Sequence, residues 1–315
     1  MKTYAAIYRN EIREKSSSGG VFSVFASQFD VVYGVAMTDD CYEAEMIRVE
    51  QDISPLRGSK YVQAKLGDSF KRAREDLCQG KNVLFSGTGC QINGLINFLG
   101  KEYDNLICVD VVCHGVPSPK LWRGYVEFQE NKHGKLKEIN FRAKEENWKK
   151  YGMKENQLYI PRGKDPFMNM FLDDFCLRPS CYNCRAKQHR LSDISIADFW
   201  GIENLAPEMD DGMGTSLIIV RTERGQKLFD NIKRKLDWKE MDYSIAVREN
   251  PAEYCSVQRP PQRESFFSDL QSHSFNYMIK KYAPDTKRIV IRTLWRRIKS
   301  FMKKMSWGRN NKITE

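Results

Sequence analysis

Three features of the sequence predict a mixed α/β protein, with a sheet core, flanking helices and cofactor loops at the strand ends. Short apolar strands alternate with stretches of helical spacing, and glycines and cysteines fall where a strand gives way to a helix. At 41% hydrophobic and 12% aromatic over 315 residues, the chain can bury one large core or two moderate ones.

Taken in order, TYAAIYR (3–9) reads as a strand, and SSSGG (16–20) turns the chain into the helical stretch VFSVFASQF. VVYGVAM (31–37) is again strand, and Leu66 to Leu77 has helical spacing. NVLFSGTGC (82–90) is an apolar strand breaking into a glycine turn before the helix QINGLINFLG. LICVDVVCHG (106–115) repeats that plan, and Ser118 caps a helix that starts at Pro119. A helix through MNMFLDDF, a cysteine-bearing loop, the strand ISIADF, the loop DDGMGTS, the strand LIIVRT (217–222) and a helix from Glu223 complete the layout. Residues 1–80 and 81–240 read as the N-terminal and C-terminal parts of one domain, 241–285 as a helical extension, and 286–315 as a basic tail.

The net charge of +10 is concentrated in that tail. From Thr286 to Glu315 there are ten Lys and Arg against one acidic residue, which leaves a net of only +1 for the body. The body therefore carries no electrostatic footprint of a nucleic-acid protein. Between Ile291 and Met305 apolar residues recur at three and four, with Arg and Lys on the remainder, so a basic amphipathic helix is expected there. Such a helix suits peripheral contact with an anionic membrane surface through residues 286–305. The N-terminus lacks the apolar core of a signal peptide, and no run approaches the ~18 apolar residues of a membrane span. The expected location is cytoplasmic, with that peripheral contact at the inner membrane face. There the nine cysteines are not expected to form structural disulfides.

The cysteines sort by context. Cys90 ends a glycine turn at a strand-to-helix junction, Cys113 leaves the next strand, and Cys181 and Cys184 form a C-x-x-C pair in an irregular polar loop. Cys41, Cys78, Cys108 and Cys255 lack such surroundings and are expected to be buried as small hydrophobes. Cys176 fits either a ligand or the end of an apolar helix. Four thiolates can hold zinc or an iron–sulfur cluster, and spacing alone does not separate the two. Three further motifs offer ligand contacts beside ordinary structural roles. SSSGGVF presents hydroxyls and backbone N–H groups, GSKYVQ places Lys60 between a glycine turn and an aromatic residue, and ADFWG ends a strand with an acid, two aromatics and a glycine. His114, beside Cys113, either relays a proton or serves structure.

SSSGGVF, GSKYVQ, GTGCQINGL, DVVCHGVPSP, FCLRPSCYNCRAK, SDISIADFWG and GTSLIIVRT occur here in the order seen in a known family. Over roughly residues 3–235 the chain resembles the coenzyme F420 hydrogenase/dehydrogenase beta subunit family. That resemblance implies a flavoprotein oxidoreductase with FAD, or FMN in its place, and one 4Fe-4S cluster. It implies Cys90, Cys113, Cys181 and Cys184 as cluster ligands. It also implies Ser18, Gly19, Gly20, Ser59, Lys60, Gly87, Thr88 and Asp198 as flavin-pocket residues; no catalytic residue is assigned. The chain departs from the family in having Gly89 where proline is common and in lacking an N-terminal ferredoxin module. An external electron donor such as ferredoxin is therefore expected. Shorter relatives of this form occur in bacteria that make surface polysaccharides, which points to a small-molecule or glycan-precursor substrate. A zinc-stabilised binding protein and an accessory electron-relay subunit stand as alternatives.

Overall fold

The computed structural model describes residues 1–284. Its strands are β1 (Lys2–Ile7), β2 (Val31–Met37), β3 (Ala44–Val49), β4 (Ala64–Lys65), β5 (Val83–Thr88), β6 (Leu106–Val111), β7 (Ile139–Ala143), β8 (Gly152–Glu155), β9 (Leu158–Pro161), β10 (Ile194–Asp198), β11 (Ser216–Val220) and β12 (Asp237–Met241). Its helices are α1 (Val21–Ala26), α2 (Ser69–Cys78), α3 (Gly89–Leu99), α4 (Pro119–His133), α5 (Pro166–Leu172), α6 (Ile202–Leu205), α7 (Glu223–Ile232), α8 (Tyr243–Ala246), α9 (Arg263–Ser272) and α10 (Phe275–Tyr282). The mixed α/β layout expected from the sequence is what forms. The helical extension begins as α8, α9 and α10, whereas the basic helix expected over 291–305 lies outside the described residues.

Nine strands form one sheet in the order β12-β1-β11-β10-β6-β5-β2-β3-β4. The central strands β10, β6, β5 and β2 run parallel; β11, β1 and β12 add antiparallel pairs on one side, and on the other β3 pairs antiparallel with β2 and parallel with the edge strand β4. Strands from either side of residue 80 share this sheet, so the boundary drawn there is one of chain order. Strand alternation explains the apolar runs read as strands: Leu84 and Val109 face the side covered by α1 and α7, while Val83, Phe85 and Cys108 face α2 and α3. A parallel sheet buried on both faces needs apolar residues at successive positions. Gly19 lets the SSSGG turn lie directly on this sheet. A Cβ there would stand 2.4 Å from the Ala6 carbonyl oxygen and 2.7 Å from the Ser216 nitrogen.

A second, three-stranded sheet in the order β7-β8-β9 packs with α4, α5, α9 and α10 around Trp122, Phe141 and Phe167. Inside this unit Tyr125 directs one hydroxyl toward two buried carboxylates, Glu155 and Asp165. A phenol carries one proton and so donates to only one of them. The second contact requires a proton on a carboxyl. Burial pushes Asp165 up to about 7, and burial likewise raises Glu155. Asp165 also caps α5, accepting from the Met168 N–H at 2.7 Å.

Because the folded pKa of Asp165 lies above its unfolded value, its contribution to stability is full at low pH and is lost as pH rises toward about 7. Asp165→Asn keeps the capping acceptor and removes the titration. In denaturant melts, the stability of this variant relative to wild type is expected to improve from about pH 5 to about pH 7 and then level off. A difference independent of pH would show that Asp165 is ionised in the fold.

Candidate functional site

A cavity of about 600 Å³ opens where β5, β6 and β10 end. These strands are parallel, and the carboxyl ends of parallel strands are where α/β sheets leave a crevice for ligands. The SSSGG turn and the segment from Leu56 to Leu66 complete its wall. Its charged lining is one-sided: Arg57, Lys60 and Arg178 stand against Asp198 alone, Lys65 being paired with Glu43. The charge of Asp198 is already matched from behind by the buried Arg142, whose Nη1 lies 2.6 Å from Oδ2. Arg142 stacks on Tyr151 at 3.8 Å, and burial is outweighed by Asp198 in holding its guanidinium charged, with a raised pKa. The cavity therefore favours an anion.

Of the pocket residues implied by resemblance, Ser18, Gly20, Ser59, Lys60, Gly87, Thr88 and Asp198 line the cavity. Gly19 is absent from the lining; its N–H goes to Ser216 Oγ at 3.0 Å, beneath the turn. The Ser18 hydroxyl is spent on the Thr215 carbonyl at 2.7 Å. Ser17, which sequence reasoning did not single out, ties the two walls together. Its Oγ accepts from the Ser59 N–H at 2.8 Å and lies 3.0 Å from Ser59 Oγ. Lys60 donates to the carbonyls of Pro55 and Arg57 at 2.8 and 2.6 Å. With no carboxylate beside it, burial pushes its pKa down to about 7.

Three segments bring the four selected cysteines together. Cys90 sits in the first turn of α3, where Gln91 Oε1 accepts from the Thr88 N–H at 2.8 Å in a capping box. The expected glycine turn is thus absent, and strand β5 passes straight into the helix. Cys113 follows β6. Cys181 and Cys184 lie in and just after a single 3-10 turn, Pro179–Asn183. A short ladder clamps that loop to the end of β6, with Arg178 N–H donating to the Val116 carbonyl and Ser118 N–H to the Cys176 carbonyl, each at 2.8 Å. Val116 N–H points at Cys181 Sγ at 3.4 Å. Burial pushes the Cys113 thiol up to about 12, with Cys181, Cys90 and Cys184 adding to the rise. Cys113 thus stands within charge–charge range of the other three thiols, and Cys181 of Cys90 and Cys184. Among the described residues, no three His, Cys, Asp or Glu side chains converge at the spacing of a single metal ion.

Cys41 and Cys108 are buried as expected, and Cys176 joins them. The expectation fails at Cys78 and Cys255. Cys78 is exposed because it ends α2 on its outer side, 3.8 Å from the Tyr103 hydroxyl. Cys255 is half-buried beside the cysteine loop, where its carbonyl accepts from Lys187 Nζ at 3.0 Å. Phe199 is core, and Trp200 stacks on Trp148 at 4.8 Å; neither lines the cavity. His114 does line it, with Nε2 2.7 Å from Asp174 Oδ1 and its ring edge-on to Phe171. Arg142 was missed because it reaches the site from a distant segment with no local motif, and Arg178, inside FCLRPSCYNCRAK, because the cysteines alone marked that motif. Tyr61, inside GSKYVQ, was legible as the aromatic next to Lys60.

The sequence profile for the C terminus of the coenzyme F420 hydrogenase/dehydrogenase beta subunit matches residues 80–244. The chain belongs to this family, and its role is that of an oxidoreductase or a redox subunit. Among solved structures, a chain of the F420-reducing [NiFe] hydrogenase complex from Methanosarcina barkeri shares the fold, with a TM-score of 0.53 and 17% identity over 78% of this chain and 82% of that one. No curated protein matches the sequence. No described helix is long and apolar enough to cross a membrane.

In native protein free of cofactors, thiol-modifying reagent followed by peptide mass mapping is expected to label Cys78 and Cys90 rapidly. Cys41, Cys108 and Cys176 should react only after denaturation, since burial raises the pKa of all three. Fast labelling of Cys108 would contradict the packing of β6 against α2 and α3.

Proposed function

We propose that this chain is a flavin- and iron–sulfur-dependent oxidoreductase, passing electrons between an external carrier such as ferredoxin and an acceptor or small-molecule substrate at the flavin. The observation that carries this reading is adjacency: Cys90 and Cys113 line the basic cavity, Cys113 stands within charge range of Cys181 and Cys184, and Cys90 within charge range of Cys181. A bound flavin supplies two-electron or hydride chemistry, and a bound cluster supplies single-electron transfer. The chain's own part is to hold and orient both groups. Lys60, Ser17 and Ser59 form a cationic, hydroxyl-bearing corner suited to a diphosphate, which favours FAD over FMN. Asp198, held by Arg142, accepts from a donor on the ligand. The Val116 N–H supports sulfur at Cys181, and Lys187 offsets negative charge at Cys113 and Cys184.

The donor set, four thiolates, is one that a 4Fe-4S cluster takes. Four cysteines from three segments would then join the ends of β5 and β6 to the cysteine loop. The accessory-relay reading gains support from one observation, that the similar fold occurs in a chain of a hydrogenase complex. In that case partner subunits take the place of a free carrier. A substrate among glycan precursors is the narrower form of the proposal.

Three experiments test it. Protein purified without oxygen and reconstituted with FAD or FMN should retain noncovalent flavin and show iron–sulfur absorption. Replacing Cys90, Cys113, Cys181 or Cys184 by Ala should remove most bound iron and sulfide, whereas Cys78→Ala and Cys108→Ala should not. Equal loss from all six variants would sink the ligand assignment. For Lys60, an anion binds the protonated form, and the free pKa is about 7. FAD affinity should therefore be flat below about pH 6 and fall by up to ~10-fold per pH unit above about pH 7. Lys60→Gln should bind more weakly at low pH and remove that slope; an unchanged profile would place the diphosphate elsewhere.

A further inference from the structure

The surface beside the four cysteines is built from two segments that contain no acidic residue. The loop 178–190 carries Arg178, Arg185, Lys187 and Arg190, and the segment 254–263 carries Arg259 and Arg263. They are laid together by hydrogen bonds from Cys184 N–H to Ser256 Oγ at 2.9 Å and from Lys187 Nζ to the Cys255 carbonyl at 3.0 Å. Not all six cations reach solvent as net charge. Arg190 is buried on Asp110 and Glu253, Arg263 is buried, and Arg259 pairs with Glu264. Arg178 and Arg185 are exposed and form no ion pair among the described residues, whereas Lys187 is half-buried, donates to a carbonyl and faces the thiols. Two neighbouring carboxylates are already engaged, Asp174 with His114 and Glu253 with Arg190 and Arg221. Exposed Tyr254 stands on the same segment, and Tyr and Arg are the residue types enriched in protein–protein contacts.

The geometry points to this face, centred on Arg185 beside Cys184, as the docking surface for an acidic electron-carrier protein. The inference rests on the reading of the four cysteines as a redox centre, because a carrier must approach such a centre closely. Charge complementarity supplies the choice of occupant. An unneutralised basic face on a body of net +1 attracts an acidic partner selectively and speeds its encounter at low ionic strength. A lipid surface is less suited, since Tyr254 is the one large exposed apolar side chain in these two segments.

The test uses the full chain, an acidic ferredoxin as probe, and the double variant Arg185→Glu with Gln188→Glu, both exposed positions outside the cavity. Lys71→Glu on α2 serves as the remote charge control. Affinity for ferredoxin, measured by titration at low and high ionic strength, should fall at least ~10-fold at low salt in the double variant and little in the control, with the gap closing at high salt. Iron and flavin contents should be equal in all three proteins. Equal affinity in wild type and double variant, or an equal loss in Lys71→Glu, overturns the proposal. So does failure of ferredoxin to bind while anionic vesicles or single-stranded DNA bind in a manner sensitive to the double variant. Absence of iron and flavin from wild type would instead overturn the redox reading, and the binding titration would still decide whether the face docks an acidic protein.

Discussion

Asp110 lies on β6 in the middle of the main sheet, with its carboxylate wholly out of water, and accepts from Arg190, Ser192 and Ser195. Those partners come from the far end of the cysteine loop and from the strand that follows it. A buried carboxylate left without donors costs several kcal/mol, about 3–5 when an ion-pair partner is removed. The pairing of β6 with β10 and the placement of the cysteine loop are thus tied to one acid. Arg190 extends the tie to Glu253, which Arg221 also engages, so the segment that covers the loop is anchored at the same point. Even the tight start of α3 answers to it, because a Cβ on Gly89 would lie 3.0 Å from Asp110 Oδ2.

From this anchor the division of the site follows. The parallel strands end together, and their ends bound the cavity, with Cys90 and Cys113 in its wall and Cys181 and Cys184 on the loop that follows. Charge in the two regions is handled differently. In the cavity, Asp198 is neutralised by a buried arginine, so the remaining cations set the sign of the field. At the thiols, burial opposes ionisation of Cys113, and Lys187 and the nearby amide are the groups that favour negative charge. Buried thiols of this kind hold charge only with positive groups or metal beside them.

Much of the fold was legible because both faces of the central sheet are buried. Runs such as VLF and LICV then stand out as strands, and α4 and α7 begin where Ser118–Pro119 and Glu223 mark their starts. The three-stranded sheet β7-β8-β9 and the edge strand β12 were not legible. Their residues are polar or mixed, with KEM and KE flanking few apolar positions, and they become strands through pairing rather than through pattern. Burial of individual cysteines was legible only where a strand enclosed them. Cys108 followed the rule; Cys78, at the outer end of α2, did not.

For the site, sequence alone determined which residue types were available and in what local setting: the C-x-x-C pair, the thiols after two strands, the serine–glycine turn and Lys60. Local chemistry and motif order carry that information, because each depends only on near neighbours along the chain. Tertiary structure decided which of these share a space. It drew Cys90 and Cys113 beside a loop far along the chain, left Gly19 under the turn, and brought Arg142 from the smaller sheet to the back of Asp198. Such meetings depend on sheet order and on buried polar groups finding partners across the fold, neither of which is written in any single segment.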